Sequence, residues 1–228
     1  MTCKERFLSM PAKEFESKLR YLIISAPDVI QQAPGIKIFG RTLRSFLFTT
    51  DIALIRNTDA DAIMAVYPFT PQPSINQAIM TTADVPVMCS VGGGELKDER
   101  AVHLALETEF RGAVGAVLSP EIDNDIVAKI KKRVDIPVVV TVVSEKEDVE
   151  RRIESGADIL NVSGAENTCR IIERIRNKYP YIPIIATGGP TDDSIRETIT
   201  CGADAITYTP PTNAELFKKT MQLFRENL

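Results

Sequence analysis

Short apolar segments recur along the chain, and amphipathic segments separate them. One kind of apolar segment begins with proline, and the other follows an alanine–aspartate or similar start. Both kinds are rich in β-branched residues, as expected of strands that are buried on both faces of a parallel sheet. They predict strands at 60–67, 85–90, 112–119, 136–141, 156–163, 182–187 and 202–209, preceded by a first strand at 36–39.

The segments between these strands have apolar residues at helical spacing. The clearest predicted helices lie at 98–110, 126–134, 147–156, 169–179, 193–202 and 214–224. Eight strands, each followed by a helix, predict an α/β fold with a single closed (β/α)8 TIM barrel over residues 36–228. An open doubly wound sheet is the alternative. We expect residues 1–35 to form an N-terminal helical extension that covers the bottom of the barrel.

Composition narrows the function classes. The chain has 228 residues, of which 44% are hydrophobic and 25% are charged, and its net charge is −4. These values are typical of a globular protein and provide no basic patch that would indicate nucleic acid. No apolar run approaches the roughly 20 residues that cross a membrane. We therefore expect neither a nucleic acid nor a membrane as partner. These values are compatible with a homo-oligomer.

The cysteines and the histidine do not form a metal-binding pattern. Cys3, Cys89, Cys169 and Cys201 are scattered without a CxxC pair, and His103 is the one histidine of the sequence. No zinc-type spacing is present, so we expect no metal site. Reduced cysteines and a charged N-terminus that does not resemble a signal peptide favour a cytoplasmic location.

In a β/α barrel the reactive groups lie at the carboxyl ends of the strands. Lys37 alternates with two isoleucines in the first predicted strand, so we expect its side chain inside the barrel. Burial there would lower the pKa of the lysine and let it act as a base. The alternative is a lysine that extends to the barrel end or pairs with a carboxylate. Tyr208 and Asn161, on the eighth and sixth predicted strands, are the other catalytic candidates.

Candidate ligand-binding residues follow three of the predicted strands. They are Arg41, Gly92, Gly93, Gly94, Thr187, Gly188 and Gly189. Arginine suits bidentate contacts with a carboxylate or phosphate, and glycines let backbone N–H groups approach an anion closely. Gly188 and Gly189 lie where a strand leads into a helix, which is a common position for a bound phosphate. Carboxylates in the first turn of that helix and two prolines after the eighth strand weaken this site.

Five glutamates also follow predicted strands directly. They are Glu95, Glu121, Glu145, Glu166 and Glu215. A carboxylate near a helix start stabilises the helix whatever the protein does, so we interpret these residues as caps. Glu166, beside Asn161 and Ser163, is the exception that we consider functional.

The segment IATGGPTDDSIRETITCGADAITYT (185–209) resembles the region of strands seven and eight in the phosphate-binding TIM barrels. This resemblance implies a phosphate at the loops after those strands. IKIFGRT (36–42) is similar to the first strand of phosphoribosylanthranilate isomerase, but Phe39 stands where that family has a catalytic cysteine. TPPT (209–212) replaces the second glycine-rich loop of the flavin barrels. We therefore expect no cofactor, with FMN as a minor alternative.

Two further resemblances extend the choice of function. The region of strands seven and eight is similar to that of the glycerol-uptake antiterminator proteins, which are regulatory barrels. The whole chain resembles uncharacterised bacterial barrel proteins that carry a hydrolase label. Our main hypothesis is an enzyme that acts on a small anionic, phosphorylated metabolite by lyase or isomerase proton transfer. The alternatives are a ligand-sensing regulator, a hydrolase and a flavin-dependent barrel.

Overall fold

The computed structural model describes residues 22–226, and eight parallel strands in this range close into a barrel. The barrel strands are β3 (Ser45–Phe48), β4 (Ala62–Ala65), β5 (Val87–Gly92), β6 (Gly115–Leu118), β7 (Val138–Val142), β8 (Ile159–Val162), β9 (Ile184–Thr187) and β10 (Ala205–Tyr208). Each strand pairs with the next along the chain, and β10 pairs with β3 to close the ring. The predicted (β/α)8 fold is confirmed.

Helices surround the barrel. They are α1 (Ile52–Arg56), α2 (Pro73–Thr82), α3 (Glu99–Phe110), α4 (Asn124–Lys131), α5 (Val149–Glu154), α6 (Thr168–Lys178), α7 (Asp192–Thr200) and α8 (Asn213–Glu226). Two short 3-10 helices lie at Asp28–Gln32 and Ala165–Asn167. The first of these belongs to the predicted N-terminal extension, whose residues 1–21 lie outside the described residues. The boundary placed between residues 35 and 36 stays a prediction.

The predicted first strand is wrong, because residues 36–38 do not enter the barrel. β1 (Ile36–Ile38) and β2 (Arg41–Leu43) form an antiparallel hairpin, and the barrel begins only at Ser45. Phe39 and Gly40 form the two-residue turn, with φ of 46° and 80°. Positive φ at both turn residues is the geometry that reverses a chain between two antiparallel strands.

The hairpin closes the bottom of the barrel, at the amino ends of the strands. The N–H of Gly35 donates to the carbonyl of Asp204, just before β10, at 2.7 Å. Ile36, Ile38 and Leu43 pack against the side chains that fill the barrel interior. The alternation of apolar and exposed residues in β1 is therefore that of a hairpin strand with one buried face.

Side chains on the barrel strands alternate between two apolar layers. The inward layer comprises Phe46, Ala62, Met64, Met88, Val117, Val139, Ile159, Ile185 and Ala205, and it fills the barrel. The outward residues pack against the helices. Because strand side chains alternate, the residues two positions after Val139, Ile159, Ile185 and Ala205 also face inward. These are Thr141, Asn161, Thr187 and Thr207, which gives the upper end of the barrel a polar wall.

Two of the cysteines differ from the expectation of reduced thiols. Cys169, in α6, and Cys201, directly after α7, form a disulfide with Cα atoms 5.4 Å apart. These residues are 32 positions apart in the sequence, and only the packing of neighbouring helices brings them together. Cys89 is buried and free. The cytoplasmic location stays a prediction. Between residues 22 and 226, none of the helices has the length and apolar character needed to cross a bilayer.

Candidate active site at the barrel mouth

A cavity of about 340 Å³ opens at the carboxyl ends of the barrel strands. Its polar lining includes Ser90, Ser119, Thr141, Asn161 and Ser163. Its apolar lining includes Phe48, Val66, Pro68, Phe69 and Val143. The cavity therefore has one wall that can form hydrogen bonds and one that can contact the hydrocarbon part of a ligand.

Asn161 lies on the polar wall of the mouth and uses only part of its hydrogen-bonding capacity. It pairs with Thr141 on the neighbouring strand, and its Nδ2 donates to Thr141 Oγ1 at 3.3 Å. Its Oδ1 is buried and has no partner among the described residues. Ser119 Oγ and Thr207 Oγ1 are buried without a partner in the same way. Since buried polar groups are normally hydrogen-bonded, these atoms mark a place for a ligand or ordered water.

The glycine loop, residues 92–94, lies at the mouth, as its position after a strand predicted. Packing and hydrogen bonds within the protein account for its glycines. A Cβ on Gly92 would lie 2.7 Å from Leu118 Cδ2, so glycine permits close packing there. The N–H of Gly93 donates to the carbonyl of Leu96 at 3.1 Å. The N–H of Gly94 donates to Glu121 Oε1, also at 3.1 Å. Two N–H groups that could have bound an anion are thus already engaged by the protein.

Glu121 and Lys97 form an ion pair at the rim of this cavity. Lys97 Nζ lies 2.7 Å from Glu121 Oε2, and both side chains are half exposed. The hydrogen bond from Lys97, followed by that from the Gly94 N–H, lowers the pKa of Glu121. The hydrogen bond to Glu121 raises the pKa of Lys97. The rim therefore carries one carboxylate and one ammonium group at neutral pH.

Sequence reasoning missed this pair. The expectation that Glu121 caps a helix is wrong, because α4 begins three residues later and has Asp123 at its N-cap position. The available signal was that Glu121 follows a barrel strand within three residues, which places it at the mouth. Nothing in the sequence pattern indicated that Lys97 would reach it from the preceding loop.

Arg152 fixes the loop that carries Glu121. This arginine of α5 is 8% exposed. Its guanidinium donates to the carbonyls of Pro120 and Ile122 and to Asn124 Oδ1. It also pairs with Glu147 at 3.1 Å. The buried guanidinium of Arg152 therefore holds residues 120–124 against α5.

Tyr67 contributes a neutral hydroxyl to the cavity wall. Its OH donates to Asn76 Oδ1 at 3.2 Å and accepts the N–H of Gln72 at 3.0 Å. Asn76 is buried and donates in turn to the carbonyl of Ser90. Burial raises the pKa of Tyr67, so its phenol stays protonated at neutral pH.

Three of the residues predicted for the site lie elsewhere. Lys37 and Arg41 are exposed on the hairpin, at the end of the barrel opposite the mouth. Tyr208 faces outward into the layer between barrel and helices, because it shares the outward face of β10 with Ile206. Burial raises the pKa of Tyr208 to about 12. Their predicted positions in the mouth are therefore wrong.

Thr187, Gly188 and Gly189 line a second cavity of about 440 Å³ between the starts of α6 and α7. A Cβ on Gly188 would lie 2.7 Å from Ile206 Cγ2, so this glycine serves strand and helix packing. Gly189 has a φ of 78°, which favours glycine in the turn. Thr187 Oγ1 donates to Ser163 Oγ at 3.2 Å and so joins this region to the main cavity.

The start of α7 is a poor position for a phosphate. Thr191 and Ser194 form a capping box that satisfies backbone donors of the first turn. Asp192 and Asp193 place negative charge in that turn. Glu166 and Glu197 add carboxylates to the lining of the second cavity. An anion here would meet negative charge on several sides.

Comparisons with known proteins identify relatives of the fold only. No family model matches the chain, and no curated protein matches it in sequence. Among solved structures, a protein from Burkholderia cenocepacia assigned as a phosphonomutase is 16% identical, with a TM-score of 0.62 over 81% of this chain and 94% of its own. A phosphonopyruvate hydrolase bound to oxalate and Mg²⁺ is 14% identical, with a TM-score of 0.58 over 81% and 80%. A mandelate oxidase bound to (S)-2-phenylpropionate is 14% identical, with a TM-score of 0.61 over 78% and 68%.

The cofactors of these similar structures do not fit the residues present. Among residues 22–226, no group of three or more His, Cys, Asp or Glu side chains could hold a metal ion such as Mg²⁺. FMN occurs in one mandelate oxidase structure. The resemblance to the phosphate-binding barrels implies a phosphate at the loops after β9 and β10, but there Asp192 and Asp193 carry negative charge and Pro210 and Pro211 lack N–H donors.

Proposed function

We propose that the chain is an enzyme that acts on a small anionic metabolite bound in the mouth cavity. The observation that carries this proposal is the pair of buried atoms without partners, Asn161 Oδ1 and Ser119 Oγ, on residues that line the cavity. A ligand with hydroxyl or amine groups would supply the missing hydrogen bonds. Small-molecule sites commonly combine a largely apolar lining with a few convergent polar groups of this kind.

The charged pair at the rim supplies the groups for recognition and proton transfer. Lys97 would hold the anionic group of the metabolite in place of Glu121, since its ammonium contacts Glu121, which lines the cavity. The displaced carboxylate of Glu121 would then be free to accept a proton. Tyr67, protonated at neutral pH, would act as proton donor. These roles fit lyase or isomerase chemistry, in which a base and an acid act on a carbon beside a carbonyl.

Ligand screening with turnover assays tests this proposal. The full chain is mixed with small carboxylates, including oxalate, and with sugar phosphates; binding is followed by thermal shift and conversion by proton NMR. We expect Lys97→Met to abolish binding of the anionic hit. Lys129→Met should leave it unchanged, because Lys129 forms a similar exposed pair with Glu99 at 2.6 Å on the helices outside the mouth. Equal effects of the two substitutions would contradict the proposal.

A ligand-sensing barrel is the second candidate. The observation that favours it is that the ionisable groups of the mouth are already engaged, Glu121 with Lys97 and Tyr67 with Asn76 and Gln72. A sensor binds its ligand without converting it. A ligand that raises the melting temperature yet stays unchanged by NMR during prolonged incubation would support the sensor and reject the enzyme.

A further inference from the structure

The last helix, α8, carries an apolar stripe that the barrel does not cover. Phe217, Met221 and Phe224 are 71%, 41% and 60% exposed and follow one another at spacings of four and three residues. This is the spacing of one face of a helix. No residue described in α8 is buried. A contiguous exposed apolar face of this kind marks an interaction surface.

Another segment packs against α7 in the helix layer of the barrel. Val29 and Ile30, from the 3-10 helix that precedes the hairpin, are buried in the layer between barrel and helices. Contact with the body of the protein occurs instead at the start of α8. Asn213 and Leu216 line a groove of about 230 Å³ together with Leu22, Ile24 and Leu54. The apolar stripe continues from this groove along the helix.

We propose that residues 1–21 dock on the apolar stripe of α8. Leu22, the first described residue, lies in the groove beside Leu216, so the described part of the chain begins at this helix. Phe217 to Phe224 span only about 10 Å at 1.5 Å per residue, which a segment of 21 residues can readily cover. Because the segment is tethered, its effective concentration at the stripe is on the order of millimolar.

The sequence of the segment is suited to this contact. It contains Phe7, Leu8, Phe15 and Leu19. Phe15 and Leu19 precede Leu22 by seven and three residues, the same spacing as the stripe on α8. The segment thus offers apolar residues at sequence intervals that match those of the stripe.

Limited proteolysis of the full chain tests the docking. Trypsin can cut the segment after Lys4, Arg6, Lys13, Lys18 or Arg20. We expect the double substitution Phe217→Ser with Phe224→Ser to accelerate cleavage in the segment by at least about tenfold, because cleavage follows the population of the undocked state. Phe110→Ser is the matched control, since Phe110 is 80% exposed at the end of α3 and should leave the cleavage rate unchanged.

Two results would overturn the proposal. One is an equal cleavage rate in the unmodified chain and in the double variant. The other is a dimer of the unmodified chain, measured by light scattering, that dissociates in the double variant, since a second copy would then cover the stripe. If the double variant does not fold, Met221→Gln allows the same comparison, because Met221 lies on the same exposed stripe.

Discussion

The carboxylate of Glu121 joins the ammonium of Lys97 to the rim of the barrel mouth, with 2.7 Å between Oε2 and Nζ. Its second oxygen accepts the N–H of Gly94 at 3.1 Å. The glycine loop after β5 and the loop after β6 are thereby tied together through one side chain. An anionic ligand at this place would compete directly with a carboxylate that the protein already provides.

The first prediction concerns the titration of Glu121. Because its pKa is lowered in the folded state, the stabilising contribution of the pair is complete above the unfolded pKa and is lost as the pH falls through the folded one. We expect the Glu121 carboxyl group to titrate below the ordinary value of about 4.3. Lys97→Met should move the midpoint upward, and Lys129→Met should not. Carbon NMR of the side-chain carboxyl groups measures both midpoints, and an unmoved midpoint in Lys97→Met would contradict the pairing.

A second prediction is that removing the amide of Asn161 stabilises the protein without ligand. Leucine at this position eliminates the buried Oδ1 without a partner and forfeits one 3.3 Å hydrogen bond to Thr141. We expect Asn161→Leu to raise the free energy of unfolding by about 1 kcal/mol, since an unsatisfied buried group costs more than one hydrogen bond contributes. The same substitution should abolish ligand binding. Urea unfolding measures the change, with Asn167→Leu at an exposed position as the control; a loss of stability would show that Asn161 serves the fold.

The buried guanidinium of Arg152 gives a third prediction. Arg152→Leu leaves Glu147 without its partner and two carbonyls of the 120–124 loop without donors. We expect a loss of about 3–5 kcal/mol in the free energy of unfolding, as for other broken buried ion pairs. Arg151→Leu, on the exposed side of the same helix, should change it little. Denaturant midpoints compare the two, and similar values would rule out the anchoring role of Arg152.

The fourth prediction concerns the Cys169–Cys201 disulfide. It closes a loop of 32 residues between two adjacent helices. By restricting the unfolded chain, a disulfide that closes a loop of this length raises the free energy of unfolding by about 2–4 kcal/mol. We therefore expect a reducing agent to lower the melting temperature of the protein. The double substitution Cys169→Ser with Cys201→Ser should lower it equally and should remove the response to reductant. A melting temperature that is indifferent to reductant in the unmodified protein would argue against the pairing.

The apolar runs of the sequence determined seven of the eight barrel strands and the alternation with helices. Periodicity is a local property: a strand buried on both faces reads as a continuous apolar run wherever it occurs, and an amphipathic helix repeats every three to four residues. Periodicity gave the wrong prediction at Ile36–Ile38. Buried and exposed residues alternate in this segment, as in any strand with one buried face, and this pattern suits a hairpin strand as well as a barrel strand.

Only the tertiary structure decided which side chains share the mouth. Asn161 and the glycine loop were placed there correctly, because they follow strands that the sequence identified. Tyr208 was misplaced because a shift of one residue along β10 exchanges the inward face for the outward one. Lys37 and Arg41 were misplaced because the end of the barrel at which a segment lies depends on contacts such as that of Gly35 with Asp204, more than 160 residues away in sequence. Such long-range pairings, like those of Glu121 with Lys97 and Cys169 with Cys201, leave no periodic signal in the chain.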